Sequence, residues 1–516
     1  MTDVPACGGR PAEGWRGEHA HFVSPGPRTA RGPSAMAKRQ SNRSPAATHR
    51  PASTADGCRV HAWRCRPRRA PRSSCGADED DRVGVELPLA AALFAIFATY
   101  AAVFALGAHG AESVWGAWAA GGYGAAAAVA VWFWRRHPGV SLLVALAGAF
   151  AVPAAILPEN WGATSEVRVV ARAAALGLAH GTPYLASGQL LSWRSYDPYL
   201  PGMSLFGLPH ALGLPGPLGD PLIWLVIATA APLAAACRIA LPGAARRCTH
   251  CRCQAMLRPL LLLSCPVFAL PMSLGVTDPP VIALMCLGLA WAARNPHSRP
   301  APAGSTSHGE AIRHGQPGVT RRRDHLLLAG AAIGAACALK ATAWPALPVV
   351  IALAAIRSGR YAAARFAAGS AGCFLVLIAV TAPALLAQPS ALWQNIVAYP
   401  LGLSRRLTPA ASPLPGHLLA GAGSPGHLAA IVLLGGAALA MGASLVLRPP
   451  CDVQQASVRL AVGLAAMFLL APDARFGYFA YPLGILSWLI LAVVNPRRAH
   501  DREAAQGRSP SSGSPP

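Results

Sequence analysis

The chain has 516 residues, of which 53% are hydrophobic and only 13% charged. A soluble domain carries roughly 25% charged residues, and the mean hydropathy here is +0.38, so a soluble multidomain enzyme is excluded in favour of a polytopic membrane protein. The charge is lopsided, 44 basic minus 21 acidic giving +23, but the basic residues lie between apolar segments and in the termini. That pattern suits the positive-inside rule for membrane loops and speaks against nucleic acid as a partner.

Residues 1–82 are rich in Arg, Pro and Ser and lack hydrophobic periodicity, which reads as a disordered basic cytoplasmic arm without a signal-peptide core. Met36 and a non-Met codon near Val83 are candidates for the true start, with this arm then lying upstream of it. Cys58, Cys65 and Cys75 have irregular spacing and no His pair at zinc-finger distance. Residues 83–496 form the transmembrane domain, and 497–516 a second disordered cytoplasmic tail.

The fold class expected is all-α, a bundle of about twelve transmembrane spans at 87–108, 113–134, 139–157, 220–241, 258–275, 279–293, 326–340, 342–357, 366–387, 426–447, 458–472 and 476–494. With both termini cytoplasmic, the inner connections carry Arg135-Arg136, Arg246-Arg247, the 294–325 stretch, Arg357 to Arg365, Arg448 to Arg459 and Arg497-Arg498. All are basic, as expected for a multi-pass protein of the plasma membrane. Cysteines avoid the outer loops, so no disulfide framework is implied. Cys248, Cys251, Cys253 and His250 are crowded in one inner loop, and neither a metal nor any other cofactor is expected.

Two large outer loops remain, 158–219 and 388–425. Thr164-Ser165-Glu166 has the signature of a helix start. The helix expected over 167–180 carries Arg168 and Arg172 on one face and lies on the membrane surface. The segment Gly181 to Pro209 then gathers Tyr184, Trp193, Arg194, Tyr196, Asp197 and Tyr199. Such aromatics serve either as a membrane-interface belt around a re-entrant helix at 201–213 or as a stacking surface for sugars.

Charged residues at membrane depth are costly and mark functional positions. Asp278, in Thr277-Asp278-Pro279-Pro280, is either such a residue or a helix-start acid followed by Pro. Lys340 is the only lysine of the membrane domain and separates two short apolar stretches, the mark of a broken helix at a substrate site. It can hold a phosphate, pair with Asp278 or snorkel to the surface. Arg405, Arg406 and Arg475 add outer cations; Asp473 is placed to neutralise Arg475.

Four stretches, YDPYLPGMSLFGLP (196–209), GVTDPPVIALMCLGLAWAAR (275–294), SPLPGHLLAG (412–421) and APDARFGYFAYPLG (471–484), resemble actinobacterial integral-membrane glycosyltransferases similar to glycosyltransferase family 87 of the GT-C class. The resemblance spans about residues 87–495. It implies a GT-C-like bundle with large outer loops that moves a sugar, most often mannose or arabinose, from a polyprenyl-phosphate donor to a cell-envelope glycan or glycolipid acceptor. It also implies an acidic catalytic base in the first long outer loop. Here that loop follows the third span, so two extra spans precede it and the acid is not assigned by counting.

Glu159, Glu166, Asp197 and Asp220 are the acids available. Glu166 is ranked first on resemblance with Asp197 beside it as catalytic candidates, although a helix N-terminus weakens a base. Asp278, Lys340, Arg475, Arg405, Arg406, Tyr184, Tyr199 and Arg194 are the candidates for substrate binding. Arg suits a leaving phosphate through bidentate hydrogen bonds. The rival expectation is a transporter or flippase of a lipid-linked sugar, which predicts two similar halves; no internal repeat is visible. A third is a non-catalytic partner subunit of an envelope enzyme.

Overall fold

A computed structural model describes residues 87–133, 137–161, 165–241, 249–294, 324–404 and 412–493, the side chains of 87–88, 158–161, 165, 249–256 and 324 excepted. The terminal arms, Arg405, Arg406, the Glu159 side chain and both cysteine groups therefore lie outside the described parts. Among the described residues the structure is all-helical, without strands. In chain order the helices are α1 (Leu87–Gly107), α2 (Ala111–Phe133), α3 (Pro138–Leu146), α4 (Val152–Trp161), α5 (Ser165–His180), α6 (Leu208–Ala211) and α7 (Pro221–Ala240). Then come α8 (Thr249–Ser264), α9 (Pro266–Ser273), α10 (Asp278–Ala292), α11 (Asp324–Leu339), α12 (Ala346–Ser358) and α13 (Arg360–Thr381). The last are α14 (Pro389–Trp393), α15 (Pro415–Ala420), α16 (Ser424–Leu447), α17 (Val453–Leu470) and α18 (Ala480–Trp488).

Nine helical segments among the described residues are long and apolar enough to cross a membrane. The twelve expected differ at three places. The 258–275 stretch is divided, because Pro266 holds Cys265 in an extended conformation (ψ 136°) and ends α8. Stretches 279–293 and 326–340 become α10 and α11, with 15 and 16 residues. At 1.5 Å per residue each is roughly 24 Å long or less, short of the ~30 Å hydrocarbon layer. A fourth expectation shifts in register: 366–387 becomes Arg360–Thr381, because Pro383 forces Ala382 out of helical geometry (φ −147°, ψ 64°).

The two short helices are the most enclosed elements. Twelve residues of α10 are buried, and its Ile282, Met285, Cys286 and Leu289 belong to a large core shared with α7, α11, α12, α17 and α18. A second core around Trp115, Tyr123 and Leu142 joins α1, α2 and α3. Lipid offers no hydrophobic drive between helices, so close approach relies on small residues. Gly330 and Gly334 of α11 supply it: a Cβ at either would stand 2.2 Å from the carbonyl oxygen of Phe366 or Ser370 on α13. Gly122 and Gly148 do the same for α2 and the π turn Ala147–Ala151 that links α3 to α4.

The segment expected as a surface helix is α5, beginning at Ser165. It lies against a 3-10 helix, Pro201–Gly207, where a Cβ on Gly207 would meet the Val170 carbonyl at 2.4 Å. The re-entrant helix expected over 201–213 is this 3-10 helix running into the four-residue α6.

Candidate functional site

Three chain breaks meet where α10 begins, α11 ends and the chain turns between α17 and α18. Asp278 opens α10 with Pro279 and Pro280 in the first turn, where a missing N–H costs nothing. It is not a water-facing charge but 1% exposed. Lys340 follows α11 in an extended conformation, φ −155° and ψ 137°, before the 3-10 turn Ala341–Ala343. The Leu200 N–H donates to the Leu339 carbonyl at 3.1 Å. A Cβ on Gly202 would stand 2.7 Å from the Ala338 carbonyl, so glycine is needed for this approach of the first long loop.

Four charges pair at this junction. Lys340 Nζ bonds Asp278 Oδ1, and Arg475 bonds Glu166 Oε1. The Thr277 N–H and hydroxyl both donate to Glu166 Oε2, at 2.9 and 2.8 Å. The Tyr481 hydroxyl donates to Asp278 Oδ1 at 2.9 Å and accepts from Thr342 Oγ1 at 2.7 Å. Lys340 Nζ lies 5.1 Å from the Tyr199 ring centre and 5.5 Å from that of Tyr478. The Arg475 guanidinium lies 5.1 Å from the Tyr478 ring centre, so Tyr478 contacts both cations within cation–π range.

Burial alone would raise the Glu166 carboxyl, but the Arg475 and Lys340 charges and the Thr277 N–H outweigh it and hold it at about 2. The two largest lowering influences are thus cations from distant segments, Arg475 and Lys340. In return, the Glu166 carboxylate, outweighing burial, raises the Arg475 guanidinium well above its usual range. Two carboxylates and two cations give the cluster no net charge, and each group is enclosed except Arg475, whose side chain is 39% exposed.

Of the residues singled out in the sequence, Glu166, Asp278, Lys340, Arg475 and Tyr199 converge here. The Lys340–Asp278 pairing is found. The expected Asp473–Arg475 pairing is not: Arg475 turns to Glu166, while Asp473 faces His417, 4.0 Å away. Burial raises the Asp473 carboxyl to about 6 against the opposing influence of His417 and His427.

Tyr184 stands behind the cluster and donates its hydroxyl to the Tyr199 carbonyl at 2.8 Å. Asp197 is buried two residues from Tyr199 and accepts its N–H at 3.0 Å, an Asx turn. The Asp197 N–H in turn donates to Asn395 Oδ1 at 2.7 Å, clasping the first long loop to the second, and Tyr196 stacks on Tyr399 with ring centres 4.3 Å apart. Burial pushes the Asp197 carboxyl up to about 7, against the Tyr199 N–H and Arg172.

Arg194 is exposed and packs 5.1 Å over Trp193, while Arg172 donates to the carbonyls of residues 194 to 196. Asp220 caps α7, accepting the Leu222 N–H at 2.9 Å. No group of three or more His, Cys, Asp or Glu among the described residues is arranged to hold a metal ion.

Thr277, Thr342, Tyr478 and Tyr481 also belong to the site and are not among the candidates the sequence offers. A signal was present for the tyrosines: Arg475, Tyr478 and Tyr481 recur at i, i+3, i+6, which keeps three side chains on one side of a helical segment.

The described helices and their buried charges define a multi-pass, all-helical membrane protein. No family model matches the chain, and no curated protein or solved structure matches it.

Proposed function

We propose that the protein is a GT-C-like membrane glycosyltransferase that moves a sugar, mannose or arabinose by preference, from a polyprenyl-phosphate donor to a cell-envelope glycan or glycolipid. The proposal places the site at the outer face of the plasma membrane, with both termini cytoplasmic. The observation that carries it is the convergence of Glu166, Asp278, Lys340 and Arg475 with Tyr199, Tyr478 and Tyr481 at a junction of broken helices. The resemblance of four stretches to family 87 supports the same reading.

In this mechanism the acceptor hydroxyl oxygen attacks the anomeric carbon. The bond from that carbon to the phosphate oxygen breaks, and its electron pair leaves with the polyprenyl phosphate. Glu166 takes the hydroxyl proton. Arg475 and Lys340 stabilise the charge that grows on the phosphate. Tyr478, which is partly exposed, gives the sugar an apolar face to stack on, and the buried Tyr199 ring backs Lys340. The attack opposite the leaving group inverts the anomeric centre. Asp278, tied to Lys340 and Tyr481, positions the lysine.

The test is transfer of radiolabelled sugar from polyprenyl-phosphate mannose or arabinose in membranes containing the protein. Label entering a new product, and absent with Glu166→Gln at equal abundance, supports the reading. A second reading, a flippase of a lipid-linked sugar, is favoured by one feature: a buried Lys–Asp pair at a helix break. Labelled lipid crossing reconstituted bilayers without any transfer would select it.

A further inference from the structure

This inference rests on the glycosyltransferase reading and concerns the state of its site before a donor arrives. Both oxygens of Glu166 are engaged, Oε1 by Arg475 and Oε2 by the Thr277 N–H and hydroxyl. A carboxylate held this way has three of its roughly four lone pairs engaged, and the remaining one lies on the oxygen that Arg475 holds. Both cations that a phosphate needs are likewise engaged by carboxylates. The exposures are unequal: the Arg475 side chain is 39% exposed, against 8% for Glu166, 7% for Lys340 and 1% for Asp278. An anion entering the site therefore meets Arg475 first.

We infer that a phosphate-ester anion exchanges with Glu166 for Arg475, so that binding of the donor phosphate and unmasking of the base are one event. A guanidinium meets carboxylate and phosphate oxygens with the same forked geometry, so Arg475 can pass between them without an unpaired intermediate. The two Thr277 bonds keep Glu166 in place when Arg475 leaves, and Oε1 becomes the open position. Arg475 is also the largest of the influences that depress the carboxyl against the effect of burial, so diverting its charge to phosphate raises basicity where it is used. The exchange orders the site. A hydroxyl acceptor that arrives before the donor meets a base still paired with Arg475 and weakened by it.

The experiment measures binding to the full-length protein in lipid nanodiscs, with farnesyl phosphate, inorganic phosphate and farnesol as probes. Glu166→Gln removes the competing charge, and Glu166→Asp shortens the clamp while keeping the charge; each is compared with the wild type by melting temperature to establish folding. Should Glu166→Gln fail to fold, Glu166→Asp carries the comparison. The expected result is phosphate binding about 10-fold tighter in the folded Glu166 variants, because the competing state is depopulated. Loss of phosphate binding in Arg475→Ala and unchanged farnesol binding throughout complete the pattern.

A gain with farnesyl phosphate alone identifies a lipid phosphate, and a gain with inorganic phosphate as well identifies the phosphate group itself; both support the exchange. Equal or weaker phosphate binding in the Glu166 variants, or none in the wild type, overturns it. If the binding pattern holds while no sugar donor gives transfer, the exchange stands and the enzyme reading fails.

Discussion

Glu166 and Arg475 are 309 positions apart in the chain and form an ion pair that Thr277 completes from a third segment. The proposed roles of the two differ, and so do the expected defects. Glu166→Gln lowers kcat of sugar transfer by about 100-fold or more, the scale of a lost general base, while the donor KM does not rise. Arg475→Ala raises the donor KM and lowers kcat together. Steady-state kinetics on membranes of matched protein content check this; a Glu166→Gln variant with unaltered kcat removes Glu166 from the reaction.

Lys340 and Asp278 are both nearly fully enclosed. Removing one partner of a buried pair leaves an uncompensated charge at a cost of about 3–5 kcal/mol, whereas removing both is often far milder. Lys340→Met is therefore expected to lower the melting temperature in detergent more than the double variant Lys340→Met/Asp278→Asn. A double variant less stable than both single variants would show that the pair does not act as one unit.

The Tyr481 hydroxyl bridges Thr342 and Asp278. Tyr481→Phe keeps the ring in the core and deletes only the bridge, with an expected loss of about 1–3 kcal/mol for partners left unsatisfied. Thermal unfolding measures it. Thr342→Val in the Tyr481→Phe background adds little, because the bond it would remove is already gone.

Acid strength separates the two candidate carboxylates. The folded-state value of Asp197 is raised by burial from 3.8 to about 7, so between those values the folded protein holds a proton that the unfolded chain has lost. Stability from this group falls as pH rises through that window and is gone above it. Asp473, raised to about 6 by burial, acts in the same direction. Glu166, held at about 2 against an ordinary 4.5, acts oppositely: its contribution is present above 4.5 and is lost as pH falls towards 2. Melting temperatures at pH 5 and pH 7.5 should therefore differ less for Asp197→Asn than for the wild type. An equal difference would mean that Asp197 does not titrate in this range.

Packing of α11 on α13 is expected to be sensitive to a single methyl group. Gly334→Ala places a Cβ 2.2 Å from the Ser370 carbonyl if nothing moves, so the helices must separate and Lys340 moves with the end of α11. Lower folded yield and lower melting temperature are expected, whereas Gly436→Ala on α16, which meets nothing within 4 Å, changes neither. Equal effects of the two substitutions would show that the close approach carries no stability.

Membrane class was legible without coordinates because length and apolarity are local properties. Most long spans were also found within a few residues, since each is set by its own window of hydropathy. Two of the three lost spans, α10 and α11, are as apolar as their neighbours but shorter and buried in protein, and the third is divided at Pro266. Asp278 and Lys340 were conspicuous as charges in apolar surroundings, and Arg475 as a cation against the expected loop bias.

Thr277 took its role from backbone geometry, with its N–H aimed at Glu166, which no residue pattern encodes. Asp197 and Glu166 are both acids in the first long loop, and composition could not rank them. The sequence by itself determined an all-helical membrane chain and a short roster of costly charges, because transfer of side chains into lipid is nearly additive along the chain. Only the tertiary structure decided the partners, Glu166 with Arg475 and Asp278 with Lys340, because Coulomb attraction and hydrogen bonding depend on distances that helix packing sets.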